Sequence, residues 1–303
     1  MALGHKGDRR PGRRAFQPTI DGRLETRVLL SHASVIKSHT AAGGQAVVIT
    51  NTSGQQFFVS VTEGTIRAFP APGGRASFVV DGTSSNTLME INQIIPPHKP
   101  TRGAHTFNST LGAGTGVLNI AAINVTSGYI NSIEGYHTAI LSGPISIGGA
   151  SQVNRIALLA IQAGGSIGVG GDLDTLDVYN SAIFSGSTGL FVARDLNWLE
   201  VGGDLTFSNG ANLTVGRGVG QIFQLPKGSG NGGQGIYVNG NLTIGANDVA
   251  TVGTNIGPFG VLVNGNFSGG SRFTIDGIPL TSNIPISSIT GAPTIAVHGK
   301  ATA

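Results

Sequence analysis

The sequence predicts an all-β chain built as a right-handed parallel β-helix, a solenoid with rungs of about 23 residues, preceded by a small strand-rich cap and a disordered basic leader. Three observations point there. Short Val/Ile/Phe/Thr runs are broken throughout by Gly, Ser and Asn; glycine is very frequent and charge scarce, with 49 Gly in 303 residues and 11% charged residues; and the chain repeats itself at a fixed shift. Residues 169–191 laid over 192–214 match at Val169/Val192, Asp172/Asp195, Leu173/Leu196, Leu176/Leu199, Val178/Val201, Phe184/Phe207, Ser185/Ser208 and Leu190/Leu213. A hydrophobic content of 39% and a mean hydropathy of +0.16 supply enough apolar surface for a core, so the chain as a whole is not disordered.

From the N-terminus, residues 1–32 hold seven Lys/Arg against three acids, a net charge of +4, whereas the rest holds 11 basic and 12 acidic residues, a net of −1. The overall +3 and the pI near 9.4 therefore describe a tail. A nucleic-acid surface needs its basic residues on a folded face, which argues against that partner class. A basic stretch interrupted by Pro and Gly buries little and should be mobile. It lacks the apolar run of a standard secretory signal. No apolar run is long enough for a membrane helix; the best, Ile156-Ala-Leu-Leu-Ala-Ile161, spans six residues.

The leader contains Arg9-Arg10-Pro11-Gly12-Arg13-Arg14, then Leu24-Glu25-Thr26-Arg27-Val28-Leu29-Leu30. It resembles the LEPR-XLL domain, an N-terminal module of large bacterial surface proteins of the planctomycete type, in which an Arg-rich stretch precedes Leu-Glu-Pro-Arg-x-Leu-Leu. Thr26 departs from the pattern, where the family has Pro. The resemblance covers about 25 of 303 residues. It implies export to the cell surface or the extracellular space, with Leu24, Glu25, Arg27, Leu29 and Leu30 as the targeting residues, and implies nothing about activity.

Residues 33–97 read as a small β unit with strands at 46–50, 56–61, 65–69, 76–80 and 88–94. Their centres are spaced for antiparallel hairpins. This unit is expected to cover the open end of the solenoid. A Pro-containing linker at 98–110 follows, then solenoid repeats over 111–303. A marker valine or isoleucine recurs at 125, 147, 169, 192, 215, 238 and 263. Within a rung Leu173, Leu176 and Val178 should point inward and Thr175 and Asp177 outward. Gly-Gly, Asn-Gly and Gly-Asn pairs make the corners. One rung cannot bury enough apolar surface to offset its ordering entropy, so rungs must stack. In composition and in its Val-x-Gly-[Asp/Asn]-Leu phrases the segment is similar to passenger regions of secreted bacterial adhesins.

The cysteine-free sequence excludes disulfides and thiolate chemistry. Gly164-Gly-Ser166-Ile-Gly168 fits a nucleophile-elbow pattern, but no helix follows it. Gly228-Ser-Gly-Asn-Gly-Gly233 fits a phosphate-loop pattern inside a low-complexity loop without a helix. The seven histidines lack metal-ligand spacing. No catalytic constellation is found and no cofactor is expected.

Stacking at the repeat shift places Asp172 over Asp195, Asp177 over Glu200 and Asp174 over Asn197, so five carboxylates share one edge. Either these are solvated turn residues, or they form an oxygen-rich site for a hard cation such as Ca²⁺. Gly170-Gly-Asp172-x-Asp174 resembles calcium-binding nonapeptide repeats but lacks their tandem period. Asn241 and Asn266 fall at the same corner in later rungs, which favours a ladder of Asx turns. Trp198 should face outward beside this edge, as a sugar-stacking platform or as packing beneath the loop at 216–235.

Three functions remain. The first is a non-catalytic, structural or adhesin-like surface module whose partners are glycans or other surface proteins. The second is a polysaccharide-active or calcium-binding β-helix, and the third a scaffold for a partner or catalytic domain. An uncovered solenoid end would favour end-to-end self-association.

Overall fold

The computed structural model describes residues 36–41, 44–95, 110–112, 114–149, 152–186, 188–216, 218–219, 235–252, 255–256, 260–269, 272–275, 278–279, 295–297 and 301–302. They belong to the compact unit His32–Ala303. The leader, with Leu24, Glu25, Arg27, Leu29 and Leu30, lies outside the described residues, as does the Gly228–Gly233 pattern. Among the described residues every regular segment is a strand, and no α-helix occurs.

The chain opens with antiparallel strands: β1 (Ile36–Ala41), β2 (Gly44–Thr50), β3 (Gln56–Val61), β4 (Thr65–Ala71), β5 (Arg75–Asp81) and β6 (Leu88–Ile95). Strands β2 and β3 form one hairpin and β4 and β5 another, while β6 returns to pair with β3. Phe57, Val59 and Val61 alternate with the more exposed Gln56, Phe58 and Ser60 and give β3 one buried face, and Met89 and Ile91 do the same for β6. β2 to β6 are the five strands read from the sequence, each displaced by no more than two residues at an end, and β1 is one the sequence reading lacks. Of the expected linker only Thr110 is described; it begins β7 (Thr110–Gly112), which pairs antiparallel with β6.

From Leu118 onward the pairing becomes parallel, apart from a short antiparallel pair between Phe273–Ile275 and Ile278–Pro279, and the chain winds as a β-solenoid with three faces, here called A, B and C. On face A the ladder runs Val125, Ile147, Val169, Val192, Val215, Val252, Ile275. On face B it runs Met89, Ile133, Ile156, Leu176, Leu199, Ile236, Val261. On face C it runs Leu141, Ile161, Ala182, Leu205, Leu242, Phe267. The strand Gln152–Val169 bends through all three faces, so one segment carries a complete coil. β5 and β6 already lie in this frame: Val80 pairs in parallel with Val125 and Met89 with Ile133. The antiparallel strands and the coils consequently share one apolar core, from Val47 to Phe273.

Each inward column is apolar throughout, because stacked strands place equivalent side chains above one another at about 4.8 Å. Phe184 and Phe207 show the result on face C, with ring centroids 5.2 Å apart and 9° between planes. Between faces B and C the backbone passes so close to the preceding coil that a Cβ on Gly202 would collide with the carbonyl oxygen of Tyr179, which makes glycine obligatory there.

The repeat departs from the sequence reading in two places. Leu190 pairs with Leu213 at the expected step, but Leu213 pairs with Ala250, a much longer one. Val215 therefore stacks on Val252, and Val238 and Val263 continue the column of Val178 and Val201 on face B instead of the marker column on face A. Val219 pairs with Leu196 and Gly235 with Trp198, so Asn197 alone lies between the partners of two residues far apart in sequence. The second departure is a shortened step, in which Arg155 pairs with Thr175.

Candidate functional site

Face B turns two columns of side chains outward. One runs Ser132, Arg155, Thr175, Trp198 and Gly235; the other runs Glu90, Glu134, Ala157, Asp177, Glu200 and Tyr237. Acids thus recur along one line of the solenoid, and Arg155 sits among them. Its guanidinium reaches Glu134 at 3.1 Å and Asp177 at 2.6 Å, bridging the coils on either side of its own. It also lies 5.6 Å from the centroid of the Tyr136 ring, within range of a cation–π contact. Burial pushes the Glu134 carboxyl above its ordinary pKa; Arg155 opposes that shift, and the charges of Asp177 and Glu90 add to it.

Tyr136 and His137 stand on a bulge of the strand Ser132–Leu141, where Gly135 pairs with Leu158 and Ile140 already pairs with Ala160. The extra residues hold both rings against Tyr179, two coils on, with centroids 5.1 and 5.6 Å away and edge-to-face geometry. Tyr179 is 49% exposed. Burial, with the negative charges of Asp177 and Glu200, raises the Tyr136 hydroxyl above its ordinary pKa. One coil beyond Tyr179, Trp198 is half-buried, donates from Nε1 to Glu200 at 3.1 Å, and lies parallel to Tyr237 with centroids 6.5 Å apart. The Nδ2 of Asn264 donates to both the Tyr237 hydroxyl, at 3.1 Å, and Asn239 Oδ1, at 3.0 Å.

The five carboxylates expected on one edge divide into two groups. Asp177 and Glu200 stack on the outward face. Asp172, Asp174 and Asp195 are buried at the preceding corner, with Asp172 at 5% and Asp195 at 2% exposure. They are not solvated turn residues: Arg194 forms an ion pair with Asp172 at 2.7 Å, and Asn197 Nδ2 donates to Asp174 at 2.9 Å. The backbone N–H of Asp195 donates to Asp172 Oδ1 at 3.2 Å. Burial raises the pKa of Asp174, partly offset by its bonds from Asn197 and Thr175. Among the described residues no three His, Asp or Glu side chains gather where they could hold a metal ion, so the proposed calcium set Asp172, Asp174, Asp177, Asp195 and Glu200 is not assembled as a group. Ser166 is buried within the strand Gln152–Val169, with no helix after it.

Asn241 and Asn266 occupy a different corner from Asp172 and Asp195. They continue a column from Ser181 and Asp204, between faces B and C, and each side-chain oxygen accepts the backbone N–H of the next coil: Ser181 from Asp204 at 3.1 Å, Asp204 from Asn241 at 2.7 Å, Asn241 from Asn266 at 2.9 Å. Both corners carry the same Val-x-Gly-[Asp/Asn]-Leu phrase or a close variant, and this likeness merged them in the sequence alignment.

Sequence reasoning missed Arg155, Glu134, Tyr136, His137, Tyr179 and Tyr237. The regular repeat shift places Arg155 over Val178, an inward position, whereas the true, shorter step places it over Thr175, beside Asp177. Comparison with protein-family models, curated proteins and solved structures returned no match.

Proposed function

We propose that the protein is a non-catalytic β-solenoid of the cell surface or the extracellular space, adhesin-like in role, carried there by its N-terminal leader. The observation that carries this reading is the commitment of the described face-B carboxylates that border the aromatic rings. Glu134 and Asp177 are held by Arg155, and Glu200 accepts from Trp198. Acid–base work on a glycosidic bond needs one protonated and one ionised carboxyl facing each other across a substrate. These acids lie instead in one line on one sheet and are bonded to protein donors, so their role is to order side chains along a long regular surface.

The leader's likeness to LEPR-XLL modules supports the location. Antibodies against residues 33–303 should label intact source cells, and brief protease treatment of those cells should remove the label. Deletion of residues 1–32 should retain the protein inside the cell. A protein protected from protease in intact cells, or one releasing reducing ends from polysaccharides, would overturn the reading.

A further inference from the structure

We infer that the outward side of face B is a binding strip for a neutral polysaccharide lying along the solenoid axis, anchored by the rings of Tyr179 and Tyr237. The inference rests on the surface role proposed above and gives that surface a ligand class.

The two rings stand on alternate coils, so the strip crosses strands instead of following one. From the coil of Tyr179, which follows the strand Asp172–Val178, to the strand Gly235–Val238 there are two coil steps, about 10 Å at about 4.8 Å per step. Tyr179 stands at one end, held on edge by Tyr136 and His137 and about half exposed. The next coil carries Gly202 at the equivalent place, and the coil after that carries Asn239, whose Nδ2 donates to the Gly202 carbonyl. The step beside the Tyr179 ring is therefore free of a side chain, with an amide beyond it. A pyranose presents an apolar C–H face that packs on an aromatic ring and a rim of hydroxyls that both donate and accept. Carboxylates accept such hydroxyls and carboxamides do both, and face B supplies Glu200 on the coil of Gly202 and Asn239 on the coil after it.

Charge selects among polysaccharides. Among the described residues of the strip, Glu90, Glu134, Asp177 and Glu200 face outward against Arg155 alone, four negative charges to one positive. A uronic-acid polymer would place its carboxylates a few ångströms from these, at about 1 kcal/mol per pair in water. A protein partner would have to desolvate a carboxylate or an amide on nearly every coil, whereas a hydroxyl-rich chain replaces those water contacts.

The test is affinity electrophoresis of the full chain in native gels containing hydroxyethyl cellulose, galactomannan or alginate. Retardation by at least one neutral polymer and not by alginate is expected. Tyr179→Ala should weaken it five- to tenfold, Tyr179→Phe should keep most of it, and Phe191→Ala, an exposed ring on face A, should leave it unchanged. Tyr237→Ala gives an independent loss should Tyr179→Ala lower the thermal midpoint. Retardation by alginate alone, by no polymer, or equal losses for Tyr179→Ala and Phe191→Ala would overturn the strip. Surface labelling with protease release would still stand in each of those cases, so the two proposals fail separately.

Discussion

Two corners of the solenoid are written with nearly the same phrase and are held together by different chemistry. At the corner before face B the column runs Gln152, Asp172, Asp195, Gly218; at the corner after it, Ser181, Asp204, Asn241, Asn266. A carboxylate only accepts, so Asp195 cannot donate a side-chain hydrogen bond to the carboxylate beneath it, and the column draws in Arg194. A carboxamide accepts with one end and donates with the other: Asn241 Nδ2 donates to Asp204 at 3.0 Å while its Oδ1 serves Asn266. Stacked acids need a cation from outside the column, whereas stacked amides extend from coil to coil.

The largest expected effect comes from breaking the first column. Arg194→Met removes the ion pair of a carboxylate that is almost fully buried and should cost about 2 to 3 kcal/mol in chemical denaturation. Adding Asp172→Asn should restore most of the loss, because the carboxylate that Arg194 neutralises is then absent. A double variant as unstable as the single one would remove the ion pair as the reason for Arg194.

A smaller effect should follow from making the second column resemble the first. Asn241→Asp replaces a donor with a charge beside Asp204 and should cost about 1 to 2 kcal/mol near pH 7. The loss should shrink as pH falls through the ordinary carboxylate range, since a protonated carboxyl donates again. A cost independent of pH would show that shape, not charge, sets the preference for Asn.

The smallest effect concerns Asp174. Its pKa in the folded chain is raised by burial. Charging it therefore opposes folding: no stability is lost below the unfolded-state pKa, and the full loss is present once pH exceeds the folded value. Asp174→Asn keeps an acceptor for Asn197, so it should raise the melting midpoint slightly at pH 7. That gain should vanish at pH 3, and a gain of equal size at pH 3 would contradict the assignment.

The solenoid itself was legible because Val169, Val192 and Val215 recur where successive coils keep one length. The site was legible only in part. Trp198, Asp177 and Glu200 lie within the regular stretch and were placed on the outward face. Arg155 lies across the shortened step, and Tyr237 beyond the long one. A fixed period shifts both onto the wrong column, because backbone pairing tolerates a corner of any length while side-chain columns depend on the strand register alone. Tyr136 and His137 were hidden by a bulge, which no periodicity encodes.

The long coil also has a practical consequence. The segment 220–234 intervenes between strand partners that are separated by a single position of the neighbouring strand, and the ladder resumes in register on all three faces. The entropy of closing a stretch of chain between two fixed ends grows only with the logarithm of its length, about 0.6 kcal/mol for each doubling. Opposite Asn197 the solenoid therefore has a natural splice point, where foreign sequence could be exchanged for native sequence while the coils above and below keep their columns.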